Sequence, residues 1–240
     1  MSKNAIIVIG ANGAIAQAFI KEQRARYPNH PLITISRGNM PLLDDYHTHI
    51  ECDYSEAQIN LVAENIKASI QLSQSISIFN GQLHNGQFGP EKRLEDINER
   101  YLTWLLKTNT ITPMLWLKAI GQHLTHQSAC VITVLSARVA SIDDNVLGGW
   151  YSYRASKAAL NMAVKTASIE LARRAKHCKC VLFHPGTTDS PLSKPFQNNV
   201  PEGKLFPPSF VAQQLSNLID SREHNTLVDY IDWQGNRINW

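Results

Sequence analysis

The sequence predicts one α/β domain built on a doubly wound parallel sheet, with helices on both faces in three α/β/α layers. Three observations predict it. Short β-branched runs alternate with helix-period segments along the chain. The runs are almost continuously apolar (IIVI, VITVL, CVLF), the pattern of strands covered on both faces. The 240 residues show no linker, so residues 1–240 form a single unit. A chain of this length buries roughly 70% of its unfolded surface and needs no disulfide or structural metal to fold.

The first strand, Ala5 to Ile9, runs into Gly10-Ala-Asn-Gly13-Ala-Ile-Ala16 and a helix over Ala14 to Arg24. Gly10 permits a tight turn, Gly13 lets the backbone approach a pyrophosphate, and Ala16 is small enough for the helix to pack on the strand. The second strand, Leu32 to Ser36, is followed by Arg37, and the first carboxylate beyond it is Asp44. An acidic residue near this point would accept from a ribose 2′-hydroxyl, whereas the fixed fork of Arg37 suits a 2′-phosphate, so NADP(H) is favoured over NAD(H).

A helix is expected over Ser55 to Ser69, a strand over Ser75 to Phe79, and a long helix from Leu94 to about Gly121 that Pro113 kinks or divides. Ala129 to Leu135 reads as a strand, Tyr151 to Ala175 as a helix and Cys180 to His184 as a strand. In Tyr153-Arg-Ala-Ser-Lys157 the i, i+4 spacing puts phenol and ammonium on one helical face. An ammonium there favours the phenolate, which tunes the tyrosine for proton exchange with an alcohol or carbonyl oxygen. Residues Thr187 to Pro208 carry five prolines without hydrophobic period and leave the carboxyl end of a strand, where ligands bind, so they read as a substrate lid. A helix over Ser209 to Asp220 and a strand over Thr226 to Ile231 complete the chain.

With 43% hydrophobic and 18% charged residues the composition is globular, and no apolar run approaches the ~20 residues that span a bilayer. A membrane partner is not expected. Lys plus Arg is 23 against 20 for Asp plus Glu, too even for nucleic acid as the main partner. The start MSKNAIIVIGANG lacks the apolar core of a signal peptide, so a cytoplasmic location is expected. Cys52, Cys130, Cys178 and Cys180 read as reduced thiols. The most histidine-dense stretch, His47-Thr-His49 with Cys52 and Asp53 behind it, could be read as a metal cluster, but no metal is expected.

The GANGAIA turn, the YxxxK pair and Pro185-Gly186 together resemble the short-chain dehydrogenase/reductase family and its Rossmann-type fold over essentially the whole chain. Gly81-Gln-Leu-His84, Gly89-Pro-Glu-Lys92, Val134 to Ile142, Gly148 to Asn161 and His184-Pro-Gly186 resemble its bacterial C-factor-like, carbonyl-reductase-like branch. The resemblance implies that Tyr153 is the proton donor, that Lys157 binds the nicotinamide ribose, and that Asn109 holds a water in the proton relay. It implies cofactor contacts at Gly10, Asn12, Gly13, Ile15, Ser36 and Arg37, and at Asp53 beside the adenine. Asn80 and Gly81, and Pro185, Gly186, Thr188 and Ser190 at the carboxamide, complete the implied set. Two positions depart from the pattern. The family's Asn-Asn-Ala-Gly stands here as Ile78-Phe-Asn-Gly81, and the branch's catalytic serine falls on Ala137. Ser136 is the first choice for that role although adjacent strand side chains face opposite ways, Ser141 is the second, and no serine at all is the third.

The expected activity is NADP(H)-dependent reduction of a small-molecule carbonyl, or oxidation of the matching alcohol. The alternative is a dinucleotide-binding regulatory or signalling protein of C-factor type with little turnover. The resemblance also implies a homo-oligomer, dimer or tetramer.

Overall fold

The computed structural model describes residues 4–221 and 228–240. Seven parallel strands form one sheet: β1 (Ala5–Ile9), β2 (Leu32–Ser36), β3 (His47–Glu51), β4 (Ser73–Ile78), β5 (Val131–Leu135), β6 (Lys179–His184) and, last in the chain, β9 (Asp229–Asp232). Their order is β3-β2-β1-β4-β5-β6-β9. The chain therefore reverses direction across the sheet between β1 and β4, and the crevice at their carboxyl ends is where such sheets bind ligands.

Side-chain alternation divides the strands between two cores. Ile6, Val8, Val181 and Phe183 face α1 (Ala14–Arg26) and α7 (Pro208–Ser221), burying Phe19, Val211 and Leu215. Ile7, Ile9, Ile76, Ile132 and Leu182 face α2 (Glu56–Asn65), α3 (Lys67–Gln71), α5 (Thr112–Gly121) and α6 (Tyr151–Arg174). Both strand faces are thus covered, which is why the strand runs are apolar without a break. None of the helices is long and apolar enough to cross a membrane among the described residues.

Several elements differ from their sequence reading. His47–Glu51 reads as a histidine-dense stretch but forms the edge strand β3, whose polar side chains are tolerated because one side of it faces solvent. His47 and His49 each place a ring nitrogen on Thr34 Oγ1, at 2.8 and 2.9 Å. The expected helix 55–69 divides at Ile66, and the long middle helix becomes a 3₁₀ turn over Leu94–Asp96, α4 (Glu99–Leu106), a π turn over Lys107–Ile111 and then α5. Pro113 has no N–H for the carbonyl four residues back, and the chain answers with the wider turn just before it, Thr112 N–H donating to Lys107 O. The lid is more ordered than its prolines suggest: β7 (Thr187–Thr188) pairs with β8 (Leu205–Phe206), with a 3₁₀ turn over Lys194–Asn199 between them. Of the strand expected over Thr226 to Ile231, residues 226 and 227 lie outside the described residues.

Candidate active site

The β1–α1 turn is built for close approach. Gly10 has φ +81°, and a Cβ on it would stand 3.0 Å from Asn80 N and 3.1 Å from Phe79 C, so glycine lets the ends of β1 and β4 touch. Gly13 caps α1 without a side-chain acceptor, and no acidic residue sits in the first turn. The first N–H groups of that helix, with Ile15 among them, are left to an outside acceptor, which favours an anion. Ser36 Oγ donates to Gly38 O at 2.7 Å, and Asn12 Nδ2 reaches the same carbonyl at 3.5 Å, tying the turn to the end of β2. Arg37 is exposed and has no ion pair among the described residues, whereas Asp44 is held by Arg24 Nε at 2.7 Å. The cation at the tip of β2 is thus uncommitted and the nearest carboxylate is not. Asp53 is exposed beyond β3, where Ser55 holds its carboxyl below the usual range.

Tyr153 and Lys157 occupy successive turns of α6 on its buried face. Tyr153 packs with Leu83, Tyr101, Leu105 and Ala137, and burial, reinforced by Tyr230, pushes its pKa above 10. Lys157 is 1% exposed, and burial pulls its pKa from 10.5 down to about 7. Its Nζ donates to Leu135 O at 2.8 Å, and a Cβ on Gly81 would stand 3.3 Å from it. The pair is where the spacing predicts it, with one difference: burial works against the very charge on Lys157 that should lower the tyrosine. A group in the crevice that accepts from Nζ would restore its charge.

Asn109, in the π turn, is fully buried. Its Oδ1 accepts from Gln82 N at 2.7 Å, and its Nδ2 donates to Gln82 O at 2.9 Å and Ser156 Oγ at 3.1 Å. The side chain therefore locks the loop after β4 to α6. Asn80 Oδ1, just after β4, and Thr188 Oγ1, beyond β6, are buried without a hydrogen-bond partner among the described residues. Across the crevice, Pro185 is buried, Gly186 has φ +71°, and Ser190 opens the lid turn, its Oγ donating to Thr188 O at 3.3 Å.

A family description, short chain dehydrogenase, matches residues 4–201. The chain belongs to this family. C-signal of Myxococcus xanthus is 29% identical over 147 residues, 61% of this chain and 83% of that protein. Two examples stand for the solved structures that match over 100% of both chains. One is a short-chain dehydrogenase/reductase from Burkholderia multivorans with bound NADP, at TM-score 0.83 and 19% identity. The other is the carbonyl reductase Sniffer of D. melanogaster, at TM-score 0.81 and 21% identity. These likenesses show the fold of the short-chain dehydrogenases.

Against that family the serine position is the main correction. Ser136, the first choice, is 2% exposed and donates to Asn161 Oδ1 at 2.6 Å, one helical turn beyond Lys157 and inside the core. Ser141 accepts from Asp144 N at 3.1 Å and lies 3.5 Å from Trp240 O, so it serves the loop after β5. The residue brought against Tyr153 is Ala137, which has no hydroxyl. Strand alternation decides this, since residues 136 and 137 leave β5 on opposite sides. Tyr230 is a site residue that sequence reasoning missed: its hydroxyl donates to Ala137 O at 2.7 Å and holds this segment in place. A single tyrosine on the last strand carries no local signal of that contact.

Proposed function

We propose that the protein is an NADP(H)-dependent oxidoreductase that reduces a carbonyl compound, or oxidises the alcohol, with Tyr153 as its proton-transferring group. The observation that carries this reading is that Tyr153 and Lys157 share one buried face of α6, with Lys157 Nζ at the carboxyl end of β5, on Leu135 O, and beside Gly81. The orphaned Asn80 and Thr188 oxygens, the uncapped start of α1 and the free Arg37 fit a phosphorylated dinucleotide. Arg37 would take the 2′-phosphate, Gly10, Asn12, Gly13, Ile15 and Ser36 the neighbouring phosphates and ribose, and Asp53 the adenine. Asn80 and Gly81, with Pro185, Gly186, Thr188 and Ser190, would surround the nicotinamide end.

When bound, the nicotinamide supplies or accepts the hydride. The chain's own residues do the rest. Tyr153 gives its phenolic proton to the carbonyl oxygen as the carbon is reduced, and takes it back in the reverse direction. Lys157 donates to the ribose hydroxyls, which keeps its ammonium charged and favours the tyrosinate. Asn109 fixes the loop and π turn through which a water would return the proton. With Ser136 turned inward, the carbonyl is oriented by Tyr153 and the lid. We also propose a homo-oligomer, which light scattering of the purified protein tests.

Titration with NADPH and NADH, followed by cofactor oxidation over a panel of aldehydes, ketones and quinones, tests the reading. NADPH should bind the more tightly, and Tyr153→Phe should lower turnover by roughly 10²-fold or more. Equal rates for wild type and Tyr153→Phe would sink it. Arg37→Ala should cost NADPH about tenfold or more in affinity and leave NADH nearly unchanged; an equal loss for both would reassign the cofactor. The similarity to C-signal and the alanine at 137 favour a second reading, a dinucleotide-holding signalling protein, which predicts tight NADPH binding without turnover.

A further inference from the structure

The helix that carries Tyr153 begins in an unusual way. α6 runs for 24 residues, yet Trp150 at its start offers no side-chain cap and its first turn holds no acidic residue. Gly148, Gly149 and Trp150 are all left-handed, with φ of +64°, +66° and +54°. Glycine adopts this readily, but a bulky tryptophan there is a genuine outlier that its surroundings must impose.

Two groups impose it. Arg154 reaches back, its Nε donating to Gly149 O at 2.9 Å and its Nη2 to Gly148 O at 3.1 Å. Glu91, on the loop after β4, accepts from Trp150 N–H through its backbone carbonyl at 2.6 Å. Its side chain is 3% exposed, and the carboxylate accepts from Ser152 N–H at 3.3 and 3.2 Å and from Ser152 Oγ. Partners 61 residues apart in sequence thus make the cap that α6 lacks. An N-terminal helix cap normally bonds the second or third N–H of the helix, and Ser152 holds the second position, next to Tyr153.

We infer that Glu91 is a positioning residue for Tyr153: its buried carboxylate caps α6 from outside the helix and fixes the first turn, and so the phenol, against the crevice. The loop that bears it is tied at its other end by Asn109 on Gln82, so the cap is anchored at both ends. Removing the carboxylate leaves the Ser152 N–H and hydroxyl buried without their acceptor and frees the first turn of α6, while the backbone carbonyl of Glu91 and Arg154 still hold the left-handed turn before it.

The kinetic half of the test rests on the oxidoreductase reading, and amide hydrogen exchange does not. Glu91→Ala should lower kcat by ~10- to 100-fold, the scale of an ångström of misplacement at a reacting group. NADPH affinity should stay within about twofold, because α1 and Arg37 are untouched. Glu91→Gln keeps the shape and an acceptor oxygen and should restore most of kcat. Ser152→Ala should show a smaller loss and add little on top of Glu91→Ala. In the same variants the amides of residues 152–155 should exchange faster in Glu91→Ala and near the wild-type rate in Glu91→Gln. A Glu91→Ala protein with a lower melting temperature but unchanged kcat and unchanged exchange at 152–155 overturns the inference. Should Glu91→Ala fail to fold, unchanged kcat and exchange in Ser152→Ala overturn it equally. A wild type without turnover would sink the reductase reading, and the exchange arm would still decide on Glu91.

Discussion

Burying an ammonium is among the costliest things a fold can do with one side chain, and Lys157 is 1% exposed, its Nζ donating to the Leu135 carbonyl. Its folded pKa, about 7, lies below the unfolded 10.5. The unfolded chain therefore binds more protons between those values, so this group makes stability rise with pH from about 7 to 10.5, and its full penalty applies below 7. Lys157→Met should stabilise the protein at pH 7 by about 2 kcal/mol, flatten that rise and abolish turnover. Denaturant melts of both proteins at pH 7 and pH 9.5 check it; a destabilised variant at pH 7 would mean that the bond to Leu135 outweighs the buried charge. The residue types of the site were legible in the sequence, down to the YxxxK spacing. Ser136 was not, because a strand's facing is settled by its neighbours.

At the scale of elements, the lid is held by aromatic side chains. Phe206 on β8 packs on Trp233 at 4.5 Å between ring centroids and on Phe210 at 5.1 Å, directly over Gly186. A Cβ on Gly186 would fall 2.7 Å from the Phe206 ring, at a φ of +71° that side chains resist. Gly186→Ala should cost about 2 kcal/mol or more, read by urea denaturation, and loosen the lid against the strand. A loss under half that would mean that Phe206 simply moves aside. The far side of the lid is pinned where His84 Nε2 meets Leu192 O at 3.1 Å and Phe196 packs on Trp150 at 5.1 Å. Sequence could mark residues 187–208 as irregular from their prolines. It could not show the two-residue pairing of β7 with β8, since strands that short carry no period.

For the whole molecule, buried titratable groups set opposite slopes. Burial and Arg138 pull His184 from 6.5 to about 4, so its share of stability is lost as pH falls through that window. Burial raises Cys180 and Tyr230 to about 12, and raises Tyr153 and Tyr101 as well. The folded state keeps those protons after the unfolded chain has released them, so stability falls as pH climbs from 9 or 10 towards the folded values. Together with Lys157, these groups predict a melting temperature that rises from pH 5 to about 9 and declines above 10. Thermal melts across that range check the shape, and a maximum below pH 7 would contradict it.

By itself the sequence determined the α/β alternation, the near-continuous apolar strands, the glycine turn at the first strand, the absence of an early carboxylate beyond Arg37, and the Tyr153–Lys157 pair. All of these are local: a period, a turn residue or an i, i+4 spacing acts within one element. Only the tertiary structure decided that Ser136 turns inward while Ala137 meets Tyr153, that His47–Glu51 pairs as an edge strand, and that Glu91 caps a helix 61 residues away. Each of those depends on which face one element presents to another, and that is fixed by packing across the sheet rather than by any neighbour along the chain.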